Sequence, residues 1–444
     1  MLSLLAWAER FVATPSVSSD GNIEIAARAC ELLGEIGIAA RREEARHDGV
    51  QHQTVIADLG PRDAPDGLLL VTHLDTVPAG NPETWTATGG DPWKPTRNGN
   101  RLYGLGSADA KVDLVCKAAA LAELDLSRLR RPVRVIGTFG EEIGLVGARW
   151  LIDQGLTEGF RYALVGEPSE LFAIHAHKGR RVYEARIPLE PLPSTAGRVA
   201  PESFRGRSAH SSTPELGENA IDAALARLAR EDVLGLVELA GGEATNKIPE
   251  RCELSVLVGG DESGETAPAW DATPLLRFHA AWRELLAELR DRRDPSFDPD
   301  HSVGNLACAR RRDGTVVLEF DLRPIPSVDG ARAAAKLGEW AELECLRVNP
   351  ALETPLDSPL VRAVVAAQES LGLGARLATK ATCTEAGVLS DAGLDAVVIG
   401  AGTSVGNVHR PNEYTRIDEL HTARDLYREV IHSLCVEDAA SCSC

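Results

Sequence analysis

Five stretches of this chain place His, Asp or Glu just beyond an apolar run or a glycine turn. Leu69-Leu70-Val71-Thr72-His73-Leu74-Asp75-Thr76-Val77-Pro78 delivers an imidazole and, two residues on, a carboxylate facing the same way. Leu102-Tyr103-Gly104-Leu105-Gly106-Ser107-Ala108-Asp109-Ala110-Lys111 wraps glycines around Asp109. The run Val133 to Phe139 leads into Gly140-Glu141-Glu142-Ile143-Gly144, and Leu164-Val165-Gly166-Glu167-Pro168-Ser169 ends another run in a carboxylate. The fifth is Ile399-Gly400-Ala401-Gly402, then His409-Arg410-Pro411-Asn412-Glu413-Tyr414. Singly, each has a plain reading: a lone His at a strand end is more often structural, and a charged pair after a strand is usually solvated. Together, His73, Asp109, Glu142, Glu167 and His409 form a mixed nitrogen and oxygen set. Such a set suits two zinc-class cations about 3.5–4 Å apart that share one carboxylate, here Asp109. Three carboxylates against two divalent cations leave a net positive site, which favours an anion and acidifies bridging water. A ligating His commonly donates its other ring N–H to a carboxylate, the place of Asp75. Glu141, diverging from Glu142 along an extended segment, would take the proton from that water and pass it to a leaving amine.

A dinucleotide fingerprint is the competing reading of Gly104 and Gly106. No third glycine follows at the required spacing, and no strand is expected to feed the turn directly, so that reading is rejected.

The elements that must position these residues alternate in type. Asn22 is expected to cap a helix with Ile23, Ala27, Cys30, Leu33 and Ile36 as its apolar side. Strands are expected at Val55 to Leu59, Leu68 to Thr72, Val133 to Phe139 and Tyr162 to Val165, with helices at Val112 to Leu124 and Ala148 to Gln154. Buried runs alternating with helices imply an α/β fold with a mostly parallel sheet. The middle of the chain differs. Strands at Val182 to Ile187 and Phe204 to Ser208 flank a Pro-rich stretch, Pro188 to Pro201, that reads as an inserted loop. A helix at Asn219 to Ala229, strands at Cys252 to Val258 and Val316 to Arg323, and a helix near Val328 to Trp340 suit a small α+β domain. Between those two strands, Thr273-Pro274 opens an amphipathic helix with Leu275, Phe278, Trp282, Leu285 and Leu289 on one side; Asp291 to Asp300 then reads as exposed loop. From Ser358 the first pattern returns, with a helix Val361 to Leu371, a strand Ala396 to Ile399 and a final helix Leu420 to Leu434.

Composition removes several classes of function. The 444 residues carry 47 basic and 66 acidic side chains, a net charge of −19, which repels phosphate backbones and anionic lipid. No run approaches the roughly 20 apolar residues of a membrane span. The start, with Glu9 and Arg10 inside its apolar stretch, reads as an amphipathic helix and not as a secretory signal. Nine scattered cysteines suggest a reducing cytoplasm and mostly buried thiols, with Cys442 and Cys444 on an exposed tail.

On the five motifs, the chain resembles the acetylornithine deacetylase / succinyl-diaminopimelate desuccinylase / aminoacylase family of dinuclear zinc metallopeptidases, which includes the glutamate carboxypeptidases. The resemblance runs from the helix before Pro15-Ser16 to the final helix. It implies two zinc ions (cobalt or manganese in their place) held by His73, Asp109, Glu142, Glu167 and His409. Asp109 bridges them, Asp75 stands behind His73 and Glu141 is the general base. It implies a catalytic domain in two parts, 1–179 and 348–444, around a ferredoxin-like lid and dimerisation domain, 180–347, with insertions near 188–203 and 259–309. Ala176-His177-Lys178-Gly179 marks the exit into that domain. Ser208-Ala209-His210-Ser211-Ser212 matches the family's lid histidine, which stabilises the oxyanion in the partner subunit of a homodimer. Asn246 in Ala244-Thr245-Asn246-Lys247-Ile248-Pro249, Arg323 in Phe320-Asp321-Leu322-Arg323, and Gly402 match substrate-binding positions; the plain alternative for Arg323 is a surface ion pair.

The chain also departs from the family. Leu105 stands where Arg or Thr is usual, Ala110-Lys111-Val112-Asp113 replaces Met-Lys-Gly-Gly, and Gly400-Ala401-Gly402 replaces Gly-Pro-Gly. The helix after Asp109 must therefore pack differently. The activity implied is removal of an acyl group from a small N-acylated amino acid. Thr384-Glu385-Ala386 resembles the acetylornithine deacetylase branch. The alternatives are a dipeptidase or carboxypeptidase of the same family, or a non-catalytic binding relative.

Overall fold

The computed structural model describes residues 3–193, 197–259 and 268–436. The tail cysteines Cys442 and Cys444 lie outside them. Two compact units emerge: Met1–Ala176 with Leu352–Thr379 and Thr384–Cys444, and His177–Ala351 with Lys380–Cys383.

The first unit is built on a mixed sheet. Its central strands Val133–Thr138, Gly67–His73, Phe160–Gly166 and Asp395–Val398 run parallel. On one side Val50–Leu59 and then Arg41–His47 continue it antiparallel, and on the other Ala173–His177 does. The parallel part is the part buried on both faces. Every residue of Gly67–His73 is buried, as a strand sandwiched by helices requires. Leu68 and Leu70 face a core shared with the helices Asp113–Ala122, Pro359–Ser370 and Ile417–Cys435. Leu69 and Val71 face the opposite core, with Ala386 and Leu389 of the helix Glu385–Asp391. Each fully buried Leu or Val on these faces contributes about 1.5–3 kcal/mol relative to exposure.

Three local expectations are corrected here. The helix Ile23–Glu35 buries Ile25, Ala26, Ala29, Leu32 and Leu33, while Ile23 is 43% exposed. Asn22 stands at the N-cap, its carbonyl accepting the Ala26 N–H at 3.0 Å, but its side chain makes no capping bond. That side chain instead bonds both backbone groups of Gln53, at 2.8 and 2.7 Å, docking the helix start against the sheet with the Ile25 side inward. A strand, Arg101–Tyr103, does run directly into Gly104; it pairs antiparallel with Thr96–Asn98 and Tyr414–Arg416 in a ribbon of its own, so no parallel strand-to-helix unit forms there. Glu141 and Glu142 sit in a turn, closed by the N–H groups of Gly144 and Leu145 on the Glu141 carbonyl, and not on an extended segment.

The second unit is an antiparallel sheet of seven strands with helices Ala220–Leu228 and Thr273–Asp291 against it. Leu275, Phe278, Trp282, Leu285 and Leu289 are all buried, as their spacing required. The strand expected at Phe204 to Ser208 is the eight-residue strand Arg198–Arg205, which begins inside the stretch read as a Pro-rich loop. It is an edge strand, where Pro201 loses no ladder bond that the sheet needs. Strands Val233–Gly241 and Val303–Arg312 complete the centre. The helix expected to reach Trp340 ends at Ala335 and passes into a tighter turn, Lys336–Glu339.

Among the described residues no helix is long and apolar enough to cross a membrane. Cys116, Cys252, Cys308 and Cys435 are buried free thiols, Cys30 and Cys383 are partly buried, and Cys345 is exposed.

Candidate active site

Strand alternation sends Thr72 to one face and His73 to the other, and the site grows on the His73 side. His73 Nε2 lies 3.1 Å from Asp109 Oδ1 and 3.8 Å from Glu167 Oε1. Asp109 Oδ2 lies 3.0 Å from His409 Nε2, which is 3.1 Å from Glu142 Oε1. The five residues thus form two trios, His73–Asp109–Glu167 and Asp109–Glu142–His409, whose donor atoms fall within 4.8 Å of one another. Each trio offers one imidazole nitrogen and two carboxylate oxygens. The two oxygens of Asp109 face different imidazoles, so the donor set fits a pair of divalent cations sharing Asp109.

The supporting contacts explain how separate segments hold this geometry. His73 Nδ1 is 3.1 Å from the Asp75 carbonyl and 3.7 Å from its carboxylate. That buried carboxylate accepts from Ser18 Oγ at 2.6 Å and from the N–H groups of Glu141 and Glu142 at 3.2 and 3.3 Å. Asp75 therefore ties the His73 strand to the turn carrying both glutamates. His409 has φ +57°, a left-handed backbone uncommon outside glycine and typical of functional positions.

Crowded carboxylates shape the titration. Burial pushes Glu141 well above the usual range, with Glu167 and Glu142 adding to it, and pushes Glu142 up to about 7, with Asp109 adding to it. Burial would lower His409, but hydrogen bonds to Asp109 and Glu142 hold it at about 11. Asp109, despite burial, is drawn far below the carboxylate range by His409 and His73. The carboxylates thus draw positive charge onto the imidazoles of His73 and His409, the charge that divalent cations would supply in its place.

Gly106 has φ +78°, and a Cβ there would strike the stem of Lys111, whose Nζ donates to the Thr14 carbonyl at 2.8 Å. Gly402 has φ +97°, and a Cβ there would press on Ala108, beside Asp109; its N–H donates to Glu419 at 2.9 Å.

Two carboxylates in the quoted motifs had no assigned role. Buried Glu413 accepts the N–H groups of Ala108 and Asp109 on one oxygen, at 2.9 and 3.1 Å, fixing the loop that presents Asp109. Burial raises it to about 8. Glu385 accepts from Thr138 Oγ1 at 2.9 Å, and burial raises it to about 8 as well. A signal existed for both: each is an acidic residue inside one of the quoted motifs. Glu413→Ala is expected to leave two buried donors unpaired at about 1–3 kcal/mol each, read as a lowered denaturant midpoint of the apoprotein.

In the second unit the structure gathers the three residues singled out there around Ser211. The Ser211 N–H donates to the Asn246 carbonyl at 3.0 Å, and His210 bridges to Lys247. Arg323 Nη2 donates to Ser211 Oγ at 3.0 Å. His210 is exposed, with Nδ1 2.7 Å from Ser212 Oγ, and Asn246 is exposed too. Arg323 forms no surface pair: it is 3% exposed and bonded to buried Asp321, which also receives Arg180 at 3.2 Å and Ser211 Oγ at 2.7 Å.

Comparison with known proteins follows the same lines. The sequence profile of Peptidase family M20/M25/M40 matches residues 69–433. An acetylornithine deacetylase of Pectobacterium atrosepticum is 29% identical over 381 residues, covering 83% of this chain and 80% of its own. The structure of an aminoacylhistidine dipeptidase from Vibrio alginolyticus superposes with a TM-score of 0.68 at 17% identity, over 98% of this chain and 97% of that one. An M20 family metallo-carboxypeptidase from Sulfolobus solfataricus gives 0.63 at 19% identity, over 97% and 99%. With the profile spanning most of its length, the chain belongs to peptidase family M20/M25/M40 and is a metal-dependent hydrolase of amide bonds.

Proposed function

We propose that this protein removes the acyl group from a small N-acylated amino acid, as an acetylornithine deacetylase-like enzyme working with two zinc ions in the cytoplasm as a homodimer. The observation that carries the reading is the Asp109 carboxylate standing between two imidazoles, 3.1 Å from His73 and 3.0 Å from His409. Cobalt or manganese would suit the same donors. When bound, the cations supply Lewis acidity that polarises the amide carbonyl and acidifies water.

The chain's own residues do the rest. His73, Asp109 and Glu167 hold one cation, and Asp109, Glu142 and His409 the other. Asp75 fixes the His73 ring and the glutamate turn together. Glu141, whose carboxyl is raised well above the usual range by burial, accepts a proton from water and returns it to the leaving amine. His210 stabilises the developing oxyanion in the site of a second copy. Asn246 and Arg323 hold the substrate carboxylate, for which the planar guanidinium fork is suited, and Gly402 lines the substrate position beside Asp109. The 29% identity to an acetylornithine deacetylase and the Thr384-Glu385-Ala386 stretch favour a deacylase over a dipeptidase.

A hydrolysis screen with added zinc or cobalt tests this. Acetylated and other acyl amino acids are expected to be cleaved, and a parallel dipeptide panel much less so. Exclusive dipeptide turnover would replace the deacylase reading with a dipeptidase.

A further inference from the structure

Where the resembled family usually carries Met-Lys-Gly-Gly, this chain has Ala110-Lys111-Val112-Asp113, and the structure shows what the last substitution brings. Asp113 opens the helix Asp113–Ala122, with its carboxylate buried beneath the sheet. One turn on, fully buried Lys117 pairs with Asp113 Oδ2 at 2.7 Å. Its ammonium also donates to the Val71 carbonyl at 2.6 Å and to Thr72 Oγ1 at 2.9 Å. All three of its donors are therefore used. The Thr72 hydroxyl closes the triangle by donating to Asp113 Oδ2 at 2.8 Å. The hydroxyl of Tyr427, from the helix Ile417–Cys435, is aimed at Asp113 Oδ1 and lies 2.7 Å from the Ile399 carbonyl.

This knot grips three strand ends from the face opposite the site. Thr72 precedes His73, and Ile399 follows the strand Asp395–Val398. Gly166, which precedes Glu167, lies against the knot: a Cβ there would occupy the place of the Asp113 carboxylate and stand 2.9 Å from Lys117 Nζ. A Cβ on Gly400 would meet the Glu167 carbonyl at 2.6 Å and Asp113 Oδ1 at 3.3 Å. The contacts of Asp113, Lys117 and Tyr427 do not extend to Glu142 or His409. Stability alone is a poor reason for such a knot, because well-packed apolar residues in place of a buried ion pair are often neutral or stabilising. What it supplies is fixed direction and spacing for two adjacent strand ends.

We infer that Asp113, Lys117 and Tyr427 are positioning residues for the cation held by His73, Asp109 and Glu167, setting the distance between the His73 and Glu167 strand ends from beneath the sheet. The inference rests on the dinuclear reading above.

Stepwise calorimetric titration of the apoprotein with Co²⁺ tests it, read beside apoprotein thermal unfolding. The variants are Tyr427→Phe, which removes one hydroxyl, and the double substitution Asp113→Leu with Lys117→Met, which removes the pair without stranding a charge. The wild type is expected to bind two ions. Both variants should melt near the wild type and lose roughly 10–100-fold in affinity at one step, the scale of losing an outer partner of a metal ligand, with the other step unchanged. Wild-type affinity at both steps in Tyr427→Phe overturns the inference, as does equal weakening of both steps together with a lowered melting temperature. Should the double variant not fold, Tyr427→Phe decides alone. A wild type that takes up no ion overturns the dinuclear reading itself, and the inference with it.

Discussion

Glu141→Gln is expected to bind both cations as the wild type does and to turn substrate over about 10²–10⁴-fold more slowly, the usual worth of a positioned general base. Gln keeps the size and shape of Glu, so the turn bearing residues 141 and 142 should hold; it is anchored through backbone N–H groups on Asp75, at 3.2 and 3.3 Å, and not through the 141 side chain. What the amide loses is the ability to take a proton from water and return it to the amine. Metal analysis beside steady-state kinetics on an acyl amino acid checks both halves. A variant that keeps full turnover removes Glu141 from the mechanism, and one that loses its metal makes it a ligand instead.

Asp109→Asn is expected to have the other large effect. The carboxylate offers one oxygen to each side, 3.1 Å from His73 and 3.0 Å from His409. An amide offers one oxygen and turns an N–H toward the other imidazole, so bound cation should fall from two per chain to one or fewer. Turnover should drop by at least about 10²-fold, the scale of removing one preorganised electrostatic contact. Wild-type stoichiometry in this variant would mean that Asp109 bridges nothing.

The donor residues were legible because each sits at the end of a buried run or inside a glycine turn, where sequence pattern and chemistry coincide. The contacts between those stretches were not. Nothing local links Asp75 to Ser18, 57 residues earlier, or to the glutamate turn, 66 residues later. Strands such as Arg41–His47, with its largely exposed RREEARH, and Arg198–Arg205 were hidden because sheet edges tolerate charge and proline that a central strand would not. The helix Ile23–Glu35 was found with its buried side only partly right: Leu33 is buried and Cys30 and Ile36 pack on the same core, but Ile25, Ala26, Ala29 and Leu32 complete that face and Ile23 is exposed.

By itself, then, the order of residues determined which side chains bear the chemistry, which runs are buried, and that a doubly covered sheet presents them, since burial period and donor type are local properties of the chain. Tertiary structure alone decided the rest: that Asp109 meets two imidazoles, that Glu413 and Glu385 are buried acids beside them, and that Asp113 takes the space Gly166 leaves under Glu167. Those are facts of approach between segments distant in the chain, and no local pattern encodes a distance.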